Sequence, residues 1–138
     1  MKKIETYLFF DGNCAEAMRF YQSVLGGKLS LLPASDAPEG VPFPRSSEKM
    51  MHSKLELEGA IIMASDWLAT GPYPGMGGFS VTLEVPTTSE ARTLFDKLAG
   101  GGKVTMPFEK TFYSDGFGML VDRFGTPWMV MSETNTAG

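Results

Sequence analysis

Few side chains in this chain could do chemistry, and each can be named. Cys14 is the only cysteine and His52 the only histidine. Cys14 stands at the first position of a predicted helix, where the helix N-terminus can acidify a thiol. No histidine lies near it in sequence, so the stronger reading is a small buried thiol. His52 alternates with Lys54 and Glu56 along a predicted strand. Those neighbours favour water, which puts the imidazole on a solvated or subunit-facing surface. Glu5 and Glu84 are the candidate catalytic residues. A carboxylate buried among Tyr7, Phe9 and Met129 would have its pKa raised towards neutrality, as a general base requires.

The elements that position these groups come from a stretch that occurs twice. Asn13 to Lys28 (NCAEAMRFYQSVLGGK) returns as Thr88 to Lys103 (TSEARTLFDKLAGGGK) at an offset of 75. At that offset Asn13 matches Thr88, Phe20 matches Phe95, and Gly26-Gly27-Lys28 matches Gly101-Gly102-Lys103. Each copy has an Asn or Thr cap, apolar residues at helical spacing and glycine just past the end, so each predicts a helix. Leu8 and Phe10 match Leu83 and Val85 at the same offset, while Gly59–Met63 matches Gly125–Met129 at 66. This is a duplicated βαβββ unit with unequal loops. The expected division is 1–68 for the first module, 69–78 for a Gly- and Pro-rich linker, and 79–138 for the second. A Pro-rich excursion over 33–49 interrupts the first module. Phe20 over Phe95 and Met63 over Met129 are the expected superpositions.

Strand parity then sorts the faces. If Leu8, Phe10, Leu83 and Val85 lie under the helices, Glu5, Tyr7 and Phe9 face the other way, with Ser80, Thr82 and Glu84. The last strand of each module adds Met63, Trp128 and Met129 to the expected ligand-binding set. Met, Phe and Trp beside a few polar groups are the usual makeup of a small-molecule pocket. Trp67 and Tyr73 flank the glycine-rich hinge, where they would cover a pocket or pin the linker to the core.

Composition bounds the alternatives. With 43% hydrophobic and 20% charged residues, the 138-residue chain is an ordinary globular protein. Its net charge of −4 and 12 scattered basic residues argue against nucleic acid. The start, MKKIETYLFF, lacks the form of a signal peptide, and no apolar run approaches the ~18 residues of a membrane span. A single cysteine leaves no internal disulfide and fits a reducing compartment, so the cytoplasm is expected.

The segments YLFFDGNCAEAMRFYQSVLGG and FYSDGFGMLVDRFGTPWMVM, on two βαβββ modules, resemble the vicinal oxygen chelate superfamily of glyoxalases, bleomycin-resistance proteins and ring-cleaving dioxygenases. Within it the chain is most similar to the PhnB-like family, also labelled demethylubiquinone-methyltransferase-like. The resemblance implies an α+β fold of curved mixed sheets with a ligand on a concave face, and a homodimer. Catalytic members hold a metal with His or Glu side chains. Carried over, those positions fall at or next to Glu5, Met63, Ser80 and Met129, of which only Glu5 binds a divalent ion well. No obligatory cofactor is therefore expected, and a divalent metal would be held only weakly. The methyltransferase label finds no support, since a glycine-rich loop between strand and Rossmann helix is missing. The expected function is small-molecule binding without an obligatory metal, with a metal-assisted lyase, isomerase or dioxygenase-like enzyme as the alternative.

Overall fold

Alternation along the first strand decides what lies under the helix and what does not. In the computed structural model, which describes residues 2–36 and 49–133, β1 (Thr6–Phe10) buries Leu8 and Phe10 and exposes Tyr7 and Phe9. Helix α1 (Cys14–Leu25) presents Cys14, Ala17, Met18 and Tyr21 to that buried side, one stripe at helical spacing. Strand β2 (Lys28–Pro33), a single 3₁₀ turn (Ala34–Asp36), β3 (Met50–Leu57) and β4 (Ala60–Asp66) complete the first sheet in the order β1-β4-β3-β2. Strands β1 and β4 run parallel, and the other pairs are antiparallel. Most of the Pro-rich excursion expected over 33–49 lies outside the described residues.

The second half repeats this order with β5 (Val81–Val85), α2 (Thr88–Ala99), β6 (Lys103–Glu109), β7 (Phe117–Val121) and β8 (Pro127–Ser132). Its sheet runs β5-β8-β7-β6, again with one parallel pair, β5 with β8. The fold is α+β, two mixed four-stranded sheets each carrying one helix. The chain divides into two compact units, Met1–Gly75 and Met76–Gly138. Tyr73 belongs with the first, its hydroxyl donating to the Phe9 carbonyl at 2.6 Å.

The internal match needs one correction. Strands β1 and β5 do correspond at 75, since Tyr7 pairs with Met63 as Thr82 pairs with Met129. Gly27 and Gly102 also correspond at 75: a Cβ on either would strike a backbone carbonyl, of Glu56 or Val121. The helices between them correspond at 74. Asn13 and Thr87 stand at the two N-caps, Cys14 matches Thr88, and buried Tyr21, not half-buried Phe20, matches buried Phe95. The cause is loop length. Three residues join β1 to α1 but two join β5 to α2, and the lost residue returns after α2, where three residues precede β6 instead of two.

Two buried carboxylates tie the loops down. Asp66 accepts from the Cys14 amide at 2.9 Å and from the Met50 amide at 2.7 Å. Asp122 accepts from the Phe124 and Thr126 amides and, at 2.8 Å, from the Trp128 indole, closing the DRFGTPW turn around Gly125 (φ 94°). Burying Trp128, Tyr21, Phe10 and Leu8 contributes about 1.5–3 kcal/mol for each side chain.

Candidate functional site

Each helix covers one face of its sheet, so parity hands the other face to a short set of residues. In the first unit these are Tyr7 and Phe9 of β1, Met63 of β4, and His52, Lys54 and Glu56 of β3. They form a connected row. The Tyr7 hydroxyl and His52 Nδ1 are hydrogen-bonded at 3.2 Å, with ring centres 5.7 Å apart. Tyr7 packs on Phe9 at 5.1 Å, Phe9 meets Trp67 edge-on at 5.4 Å, and Trp67 meets Tyr73 at 6.4 Å. Lys54 and Glu56 pair at 3.2 Å beside it, both well solvated. Burial, and after it the charge of Asp11, pushes the Tyr73 phenol above its ordinary value.

A row of five rings on the uncovered side of a sheet is unusual, because Tyr7 and Phe9 stay 38% and 43% exposed. Such rings offer flat apolar area and, through Tyr7 and His52, a polar end. Sequence alternation assigned His52 to a solvated surface. That it shares the face of Tyr7 and Phe9 follows only from the strand order, which sets β4 between β1 and β3. Trp67 and Tyr73 carried a signal in their flanking glycines, but not the direction in which they fold.

The second unit's uncovered face has different chemistry. Thr82 and Glu84 of β5 lie beside Met129 and Met131 of β8, with Met119 of β7 and Met106 of β6 continuing the row. The Thr82 hydroxyl reaches the Met129 sulfur at 3.9 Å. Trp128 is not on this face. It is 1% exposed on the helix side, its neighbour Met129 having taken the other direction, and Asp122 fixes its indole. Ser80 precedes β5 and is half-buried.

Neither candidate base is buried. Glu84 is exposed on β5, and Glu5 is exposed just before β1, where with Lys3, Leu57 and Ile61 it lines an open groove of about 520 Å³. Neither carboxylate has the buried surroundings on which the general-base reading depends. Cys14 goes the opposite way from an activated thiol. It is fully buried, its Sγ 3.4 Å from the Ser53 hydroxyl, and burial pushes the thiol from 9.0 up to about 12. The helix terminus that could have acidified it spends its first amide on Asp66.

The four positions at which the resemblance would place metal ligands carry side chains that do not suit a divalent ion. Glu5 and Met63 offer a carboxylate and a thioether, and Ser80 and Met129 a hydroxyl and a thioether, where such an ion takes imidazoles, thiolates or several carboxylates. Among the described residues no three His, Cys, Asp or Glu side chains are grouped to hold a metal. No described helix is long and apolar enough to cross a membrane.

Comparison with known proteins gives one family. Residues 2–131 match the family described as 3-demethylubiquinone-9 3-methyltransferase. Protein YjdN of Escherichia coli (strain K12) is 34% identical over 139 residues, spanning 92% of each chain. The crystal structure of PA1353 from Pseudomonas aeruginosa is 43% identical with a TM-score of 0.89, covering 98% of this chain and 100% of that one. A PhnB protein from Bacillus cereus is 28% identical with a TM-score of 0.74, covering 95% and 99%. The fold alone is shared with a glyoxylase/bleomycin resistance protein/dioxygenase domain from Frankia sp. EAN1pec, at 14% identity and a TM-score of 0.65 over 100% and 96% of the chains.

Proposed function

We propose, because this chain belongs to the PhnB-like 3-demethylubiquinone-9 3-methyltransferase family within the glyoxalase/bleomycin resistance/dioxygenase superfamily, that it binds a small aromatic molecule without an obligatory metal. The observation that carries this reading is the row His52, Tyr7, Phe9, Trp67 and Tyr73 on the uncovered face of the first sheet. Rings of that number cannot serve the sheet's core, which lies on the side of Leu8 and Phe10. They suit a flat apolar ligand whose polar end meets the Tyr7–His52 pair. The donor set at Glu5, Met63, Ser80 and Met129 supports the metal-free form of the reading. Methyl transfer is no part of it, since the paired glycines stand at helix C-termini rather than in a phosphate-binding loop.

The test is a titration with N-phenylnaphthylamine, an apolar dye that brightens when bound. Wild-type protein should bind it saturably, and Phe9→Ala should weaken binding about fivefold, about 1 kcal/mol, with the melting temperature little changed. Saturation at a hundred times Kd should stabilise the fold by about 2.7 kcal/mol. Binding that is absent, or indifferent to Phe9, would sink the reading.

A further inference from the structure

Among the described residues one buried side-chain polar atom lacks a hydrogen-bond partner, and it is the Trp67 indole Nε1. Buried donors in folded proteins are satisfied with few exceptions, and an exception at a binding face is a donor held ready for something else. The chain's other tryptophan shows the ordinary outcome, with the Trp128 indole donating to Asp122 at 2.8 Å. Trp67 is rooted at the end of β4 by its own amide, which donates to the Phe10 carbonyl at 2.7 Å. In a β-strand neighbouring carbonyls point opposite ways, so the Phe9 carbonyl faces the free edge of β1. There it takes the hydroxyl of Tyr73, whose ring lies edge-on to the Trp67 indole. Tyr73 itself sits between Gly71 (φ 92°) and Gly75 (φ 80°), two left-handed positions that glycine adopts without strain and about which a short segment can turn.

We propose that the Trp67 Nε1–H is the recognition donor of this site, that the ligand is an aromatic ring bearing an oxygen acceptor, and that Tyr73 swings off the Phe9 carbonyl to admit it. The proposal rests on the aromatic row of the first sheet being a binding face. It adds what that row alone does not specify, a directional contact that separates ligands carrying an acceptor from plain hydrocarbons. A donor without a partner discriminates strongly, because an analogue lacking the acceptor leaves it unsatisfied.

Two dyes of one scaffold separate the outcomes. Anilinonaphthalene sulfonate carries an oxygen acceptor, and N-phenylnaphthylamine is the same ring system without it. Wild-type protein should bind the sulfonate more tightly. Trp67→Phe keeps a ring and removes the N–H, so it should weaken the sulfonate about tenfold and the apolar dye clearly less, by no more than the smaller ring's lost contact. Should Trp67→Phe fail to fold, the wild-type indole resonances give the answer, since two tryptophans give two Nε1–H signals. On adding the sulfonate the Trp67 signal should move downfield and the Trp128 signal stay. Tyr73→Phe removes the latch and should speed association about fivefold in stopped-flow mixing. Equal weakening of both dyes, or an unmoved Trp67 signal, overturns the donor assignment and leaves the binding face standing. An unchanged association rate overturns the role of Tyr73. If neither dye binds, the binding face itself is lost, and the assignment with it.

Discussion

Asp66 accepts from the Cys14 amide with one oxygen and from the Met50 amide with the other, so one buried carboxylate fastens the start of α1 to the start of β3. Asn13, the residue at the cap position, makes no side-chain cap bond at all. Asn13→Ala should therefore change stability by only a few tenths of a kcal/mol, whereas Asp66→Ala should cost about 3 kcal/mol, read by urea unfolding, because it strands two amides. Cys14 makes a second prediction, with a definite sign. The unfolded thiol ionises near 9.0 and the folded one near 12, so between those values the unfolded chain binds fewer protons than the folded one. Stability should be unaffected by Cys14 below pH 9 and fall by about 1.4 kcal/mol per pH unit above it, a slope that Cys14→Ala removes. Native protein should also resist thiol reagents at pH 8 until it is unfolded. The sequence already favoured a buried Cys14. It gave no sign of Asp66 as the long-range cap, because that role brings together residues 52 positions apart in the chain.

The strands were the more legible elements and the helices the less. Alternation placed Leu8 and Phe10 inside and Tyr7, Phe9, Thr82 and Glu84 outside, because a two-residue period leaves no intermediate choice. A helix tolerates a shift of one residue more easily. Phe20 and Tyr21 are both aromatic, and only the loop lengths show that Tyr21 is the partner of Phe95. Trp128 belongs to the helix side and not to the expected ligand-binding set, because the same parity along β8 makes it oppose Met129. Parity sets a test there. Met129→Glu puts a charge on the uncovered face and should cost about 1 kcal/mol, while Val130→Glu buries one at a fully enclosed position and should prevent folding, both followed by circular dichroism. Should the two variants unfold alike, the face of Met129 is core. Helix α2 is held differently from α1, the Thr87 side chain accepting from the Glu90 amide at 3.1 Å. Thr87→Ala should cost about 1 kcal/mol where Asn13→Ala costs little.

Across the whole molecule the sheets leave edges. Strands β1 and β2 end the first sheet and β5 and β6 the second, and Ile4 and Phe112 are fully exposed. Unpaired edges with apolar residues near them invite a second chain, and we propose a homodimer. Equilibrium sedimentation at micromolar concentration should give twice the mass of one chain, and a single-chain mass would refute it. The duplicated frame has a further consequence, which lies in how the two copies have parted. On the helix side the pairs remain apolar: Leu8 with Leu83, Phe10 with Val85, Ile62 with Trp128, Ala64 with Val130, Tyr21 with Phe95. On the other side they have changed character, Tyr7 becoming Thr82, Phe9 becoming Glu84 and Trp67 becoming Glu133. Since a strand isolates its two faces from each other, descent could rewrite one surface without touching the scaffold beneath it, and in one copy without consulting the other. The chain is thus an inherited pair of equal frames wearing unequal surfaces, and a breeder of new variants could exchange the surface of one frame for that of the other, three positions at a time, and keep both frames whole.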